Sequence, residues 1–128
     1  MRGPLQATLR RLTQATRPLA LRTAGRAGSP TSVVRHVGRR SGRTYETPVV
    51  AVARGDEFLI ALPYGDRTDW MKNVLAAGRA TLLFGGESYE VERPVIVPMD
   101  DVTGYFEVKE QRLHKRFGVE WCMRLQRR

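Results

Sequence analysis

From residue 32 onward, apolar residues recur at every second position in short runs broken by glycine-containing turns. That pattern restricts the chain to the hairpins of an antiparallel sheet. Ser32-Val33-Val34-Arg35-His36-Val37 predicts one strand and Pro48 to Ala53 another. Arg54-Gly55-Asp56-Glu57 predicts a turn into Phe58-Leu59-Ile60-Ala61-Leu62, so the runs on either side of it pair as a hairpin. Thr81 to Phe84, a Gly85-Gly86 turn and Tyr89 to Val97 predict a second hairpin, with Tyr89, Val91, Val95 and Val97 on one face. Between the hairpins, Asp66 caps a helix whose buried face carries Trp70, Val74 and Ala77, and Gly78 ends it in left-handed geometry. Pro98-Met99-Asp100-Asp101 begins another helix running to about Arg112, and Phe117 to Leu125 fits either a last strand or more helix. The fold class is mainly β with helices (α+β), a small antiparallel β-barrel.

Residues 1–30 follow a different period. Leu5, Leu9, Leu12, Thr16 and Leu19 recur at helical spacing with Arg10, Arg11, Arg17 and Arg22 off the stripe. Pro18 stops or kinks that helix, and Gly25, Gly28 and Pro30 read as a linker. The division is therefore a basic amphipathic arm over 1–30 and one barrel domain over 31–128. The arm suits the surface of an anionic membrane, and its leucines equally suit packing on the barrel or on a second subunit. It also resembles an organelle transit peptide. No secretory signal or membrane-spanning run is expected.

Charge is distributed unevenly. Ten arginines and no acidic residue precede Glu46, whereas 12 Lys+Arg oppose 13 Asp+Glu from there on, so the net +9 belongs to the first third. That third should meet an anion. The single cysteine, Cys122, excludes an intramolecular disulfide and a cysteine-rich zinc site, and fits a reducing, cytoplasmic compartment.

The strongest local motif is Gly38-Arg39-Arg40-Ser41-Gly42-Arg43-Thr44, between two apolar strands. Glycines let the backbone turn its N–H groups inward, hydroxyls add donors, and guanidinium forks match phosphate oxygens. It is not a Walker loop, because Arg43 replaces the lysine and a strand follows. The plain alternative is a solvated basic turn. A second motif, Leu62-Pro63-Tyr64-Gly65 and then Asp69-Trp70-Met71-Lys72-Asn73, can wall a flat ring with Tyr64 and Trp70. Here the alternative makes Trp70 core and Asn73 a brace for a neighbouring loop. His36 and His114 stand alone and are expected to be structural or exposed. With no triad, carboxylate pair or metal spacing, catalysis would require a cofactor.

These motifs, in this order before and after Thr47-Pro48-Val49, resemble the deazaflavin-dependent nitroreductase family, split-β-barrel oxidoreductases that use coenzyme F420. The resemblance covers about Ser32 to Val97, and more weakly Leu113 to Leu125. It implies a split, FMN-binding-like barrel. It further implies that Arg39, Arg40, Ser41 and Gly42 contact the cofactor phosphate and the start of its acidic tail. Thr47 and Pro48 would lie beside the ring, with Ala61, Pro63 and Tyr64 on the next strand and Trp70, Met71 and Asn73 at the helix start. Tyr45 stands where relatives carry a basic residue, and Pro63-Tyr64 where they carry Ser-Lys. Their C-terminal substrate tyrosines have no counterpart beyond Tyr105. The resemblance therefore speaks to the cofactor more than to one substrate.

The function expected is an F420-dependent oxidoreductase passing a hydride to a small-molecule acceptor such as a quinone, enone or nitroaromatic, with Tyr64 orienting or protonating it. The alternative is a non-catalytic lipid- or membrane-binding barrel; under either reading residues 1–30 can hold a cytoplasmic protein peripherally at the inner face of the membrane. A homodimer that completes the pocket is compatible with either. Nucleic acid is not expected: Arg-rich though they are, the first 44 residues hold no aromatic except His36 for base stacking.

Overall fold

The computed structural model describes residues 31–65 and 68–128; the arm over 1–30 and the expected cap Asp66 lie outside the described residues. Seven strands form one antiparallel sheet: β1 (Ser32–Val37), β2 (Thr44–Val49), β3 (Ala51–Arg54), β4 (Glu57–Leu62), β5 (Arg79–Phe84), β6 (Glu87–Pro98) and β7 (Trp121–Arg127). Their order is β2-β1-β5-β6-β7-β4-β3, and the sheet curls into a split barrel. Helix α1 (Asp69–Ala77) links β4 to β5, and α2 (Val108–Arg116) precedes β7.

The expected hairpins form, with Ala53 opposite Phe58 and Leu83 opposite Ser88. The strand foreseen over Pro48 to Ala53 is instead two, β2 and β3, broken at Val50. The carbonyl of Val50 accepts the N–H of Ala61 across the break (3.1 Å). Pro48 is tolerated because β2 is an edge strand.

Two apolar clusters use opposite faces of the same strands. Phe58, Ile60 and Leu62 of β4 point into the barrel with Val34, Val74, Leu82, Met123 and Leu125. Leu59 and Ala61 point the other way, onto Met99, Val102, Phe106, Val119 and Cys122. Burial on both faces is why β4 reads as a continuous apolar run.

Strand β6 departs from the expected alternation. Its register with β7 slips by one residue between Glu92 and Val95, where Arg93 takes a left-handed φ of 55°. A bulge inserts one residue and exchanges the faces beyond it. Tyr89 and Val91 face the barrel interior as expected; beyond the bulge Ile96 takes that role, Val95 is exposed and Val97 joins the outer cluster.

The other corrections concern helices. Thr68 occupies the N-cap of α1, and Ala77 is exposed, while Trp70, Met71, Asn73 and Val74 form the buried face. Gly78 ends the helix as foreseen, with φ 74° and its N–H on Val74 O (2.8 Å). After Pro98 the chain makes two single 3-10 turns, Met99–Asp101 and Thr103–Tyr105, and α2 starts only at Val108. Gly104 and the extended Phe106 and Glu107 interrupt the helix that the acidic start suggested. Helix α2 then runs to Arg116, and the final strand begins at Trp121.

Candidate functional site

The loop Gly38–Arg43 connects β1 to β2 and is closed by its own backbone. Gly38 N–H donates to Arg43 O (2.7 Å) and Gly42 N–H to Gly38 O (2.9 Å), with Gly42 left-handed at φ 72°. Arg43 N–H donates to Ser41 Oγ (3.2 Å), and that oxygen also bonds Tyr45 Oη (3.2 Å). A Cβ on Gly38 would sit 2.5 Å from Ser41 Oγ and 2.9 Å from the Tyr45 ring, so only glycine fits there unmoved. Arg39 N–H is taken by Asn73 Oδ1 (3.1 Å). Among the described residues this leaves the consecutive N–H groups of Arg40 and Ser41 outside the loop's own bonds.

Asn73 ties the loop to α1. Its Oδ1 also accepts from Arg39 Nη1 (2.8 Å), while Arg39 Nη2 reaches Asp69 (3.5 Å). Its Nδ2 meets His36 Nδ1 (3.1 Å), and His36 Nε2 meets Thr47 Oγ1 (3.0 Å). His36 is 5% exposed and stacked on Tyr45. The Arg40 and Arg43 side chains, by contrast, have no acidic partner among the described residues.

Around this scaffold lie two cavities. A small one of about 270 Å³ is lined by Gly38, Arg39, Arg40, Ser41, Tyr45, Asp69 and Asn73. A larger groove of about 810 Å³ runs between the ends of β2 and β4 and helix α2. Thr47, Pro48, Ala61, Pro63, Tyr64 and Trp70 line it on one side, and Leu113, His114 and Phe117 on the other. The first turns of α1 divide the two: Thr68 and Trp70 face the groove, Asp69 and Asn73 the small cavity.

Ten of the twelve residues singled out in the sequence thus meet at these adjoining cavities. Met71 does not: it is 3% exposed and packs in the barrel core. Gly42 lines neither cavity, and its N–H is used within the loop. Trp70 belongs to core and groove wall at once, and Tyr64 is 75% exposed at the mouth. Sequence reasoning missed the α2 wall and the buried His36. Only the apolar Leu113 and Phe117, four residues apart, hinted at the wall.

Two buried polar atoms among the described residues lack a hydrogen-bond partner, Thr68 Oγ1 and His114 Nδ1, and both belong to groove-lining residues. His114 packs edge-on against Phe106 (4.9 Å). Burial lowers its pKa from the ordinary 6.5, with Glu110 pulling weakly the other way. A mostly apolar groove with orphaned polar atoms lies beside a cavity whose Arg40 guanidinium has no acidic partner among the described residues, an arrangement that suits a ligand apolar at one end and anionic at the other.

Solved structures with this architecture include a protein described as a domain-swapped dimer, with TM-score 0.58 and 9% identity over 93% of this chain and 99% of its own. A putative pyridoxamine 5'-phosphate oxidase from Listeria innocua aligns with TM-score 0.56 and 7% identity over 77% and 83% of the two chains. A conserved hypothetical protein from Mycobacterium tuberculosis aligns with TM-score 0.53 and 15% identity over 79% and 74%. At such identities the likeness is one of fold, and the class is that of split-barrel proteins. No curated protein sequence matches. The profile of the F420H(2)-dependent quinone reductases matches residues 8–113, and the chain belongs to that family. It is an F420H2-dependent reductase with coenzyme F420 as its cofactor, which sets aside the non-catalytic alternative. Among the described residues no helix is long and apolar enough to cross a membrane.

Proposed function

We propose that the small cavity takes the phosphate of F420, that the groove takes its ring, and that the protein reduces an activated acceptor such as a quinone, enone or nitroaromatic. The observation that carries this reading is the pairing of an arginine-lined cavity with an apolar groove across the first turns of α1. The reduced cofactor supplies a hydride; the chain's own residues bind, orient and exclude water.

Arg40 and the N–H groups of Arg40 and Ser41 are the donors for the phosphate, since Arg39 is already held by Asn73 and Asp69. Arg43, exposed beside them, suits the acidic tail. Gly38 and Gly42 shape the loop. Pro48, Ala61, Pro63 and Trp70 give the ring apolar walls, and Thr47 gives it a hydroxyl. Leu113 and Phe117 extend the apolar surface toward the acceptor. Tyr64, exposed at the mouth, is placed to orient the acceptor or give it a proton. The exposed Tyr64, Leu113 and Phe117 also suit contact with a second copy of the chain, closing the groove.

Fluorescence titration with oxidised F420 tests the site. Saturable binding is expected, with Arg40→Ala weakening it about 10- to 100-fold through loss of charged hydrogen bonds. A deazaflavin lacking phosphate and tail should bind both proteins alike. Absence of binding at high micromolar cofactor refutes the reading.

A further inference from the structure

The hydrogen bonds beneath the two cavities run in a single direction. Asn73 Oδ1 receives two donors from Arg39, its backbone N–H and Nη1 (3.1 and 2.8 Å). An amide oxygen has two lone pairs, so Asn73 is fixed in orientation and its NH2 group must face His36. His36 Nδ1, 3.1 Å from that nitrogen, can only accept. In the neutral ring the proton then sits on Nε2 and is donated to Thr47 Oγ1 (3.0 Å). Thr47 accepts from behind, which leaves its own hydroxyl proton for another acceptor. Thr47 lines the groove.

We infer that Asn73 and His36 are positioning residues: through the sequence Arg39, Asn73, His36, Thr47 they fix the Thr47 hydroxyl as a hydrogen-bond donor to the edge of the cofactor ring, in register with the anion loop. The inference deepens the proposed function and rests on the groove taking the deazaflavin ring. Both residues are almost wholly enclosed, with His36 5% and Asn73 3% exposed, so bulk water does not compete for the connecting bonds. The recipient is a carbonyl oxygen or an unprotonated ring nitrogen.

The test combines a tautomer measurement with a binding cycle. In the wild-type protein without ligand, 15N spectra of the His36 imidazole at neutral pH should show Nε2 protonated and Nδ1 bare. The opposite tautomer overturns the inference and needs no variant. Affinity is then read for the phosphate-free deazaflavin, which reports on the groove alone. Thr47→Val should weaken it about 3- to 10-fold, the value of one neutral hydrogen bond, and Thr47→Ser should restore it. His36→Phe keeps a ring against Tyr45 and should weaken it by a similar factor. The double variant should be no weaker than Thr47→Val alone, because the two residues act through one bond. Independent, multiplying losses, or unchanged affinity in His36→Phe, overturn the relay while leaving the groove assignment standing. Failure of the wild-type protein to bind any deazaflavin removes that assignment, and the inference with it.

Discussion

At the scale of single residues the site depends on which polar groups are already used. Arg39 and Arg40 are neighbours with identical side chains, yet Asn73 and Asp69 hold the first, while the second has no acidic partner among the described residues. Gly38 is the tightest point of the loop. Gly38→Ala would push a methyl group against both Ser41 Oγ and the Tyr45 ring, which are themselves bonded together. We expect that substitution to destabilise the protein by about 1–3 kcal/mol, read by denaturant unfolding, and to lower F420 affinity by displacing Ser41. A wild-type affinity would mean that the loop geometry is immaterial to the ligand. The arginines and glycines of this loop were legible in the sequence because they are contiguous. The partnership of His36, Asn73 and Thr47 was not, because Asn73 lies 37 residues from His36 and only the packing of α1 on β1 brings them together. A histidine without a nearby partner in sequence therefore read as structural or exposed.

Among elements, hairpins announced themselves and the helical connections after β6 did not. A Gly-Asp or Gly-Gly turn is a local instruction, so β3–β4 and β5–β6 could be read directly. The bulge at Arg93 left no comparable mark beyond the following Pro94, and every face assignment after it was reversed as a result. Helix α2 begins at Val108, ten residues after the Pro98 at which the sequence placed the helix start, because two 3-10 turns intervene. Its contribution of Leu113, His114 and Phe117 to the groove was hidden for the same reason. Helix α1 is the better behaved element, and its end is specific. Gly78 is left-handed, closes the helix onto Val74 and accepts the N–H of Arg93 (3.2 Å) at the bulge. Gly78→Ala should cost about 1–2 kcal/mol from the left-handed backbone alone. In a domain of about 100 residues that lowers the melting temperature by roughly 4–8 °C per kcal/mol. An unchanged melting temperature would argue against this cap.

For the whole molecule, stability should depend on acidity through His114. Its folded pKa is lowered by burial, so the unfolded chain takes up a proton near pH 6.5 while the folded protein still excludes it. The unfolded state then binds more protons, and stability falls as pH drops through about 6.5 until the lower folded pKa is passed. Between pH 7 and 5 the wild-type melting temperature should decline more steeply than that of His114→Gln. Parallel declines would show that His114 does not carry the effect. The two apolar clusters add a larger consequence. Strands β4, β6 and β7 each give alternate residues to both, so neither cluster can loosen while the other keeps its strands in place. The described domain should therefore melt as one cooperative unit rather than in layers. A molecule seated in the groove would then protect amide hydrogens on the far side of the sheet from exchange as strongly as those it touches.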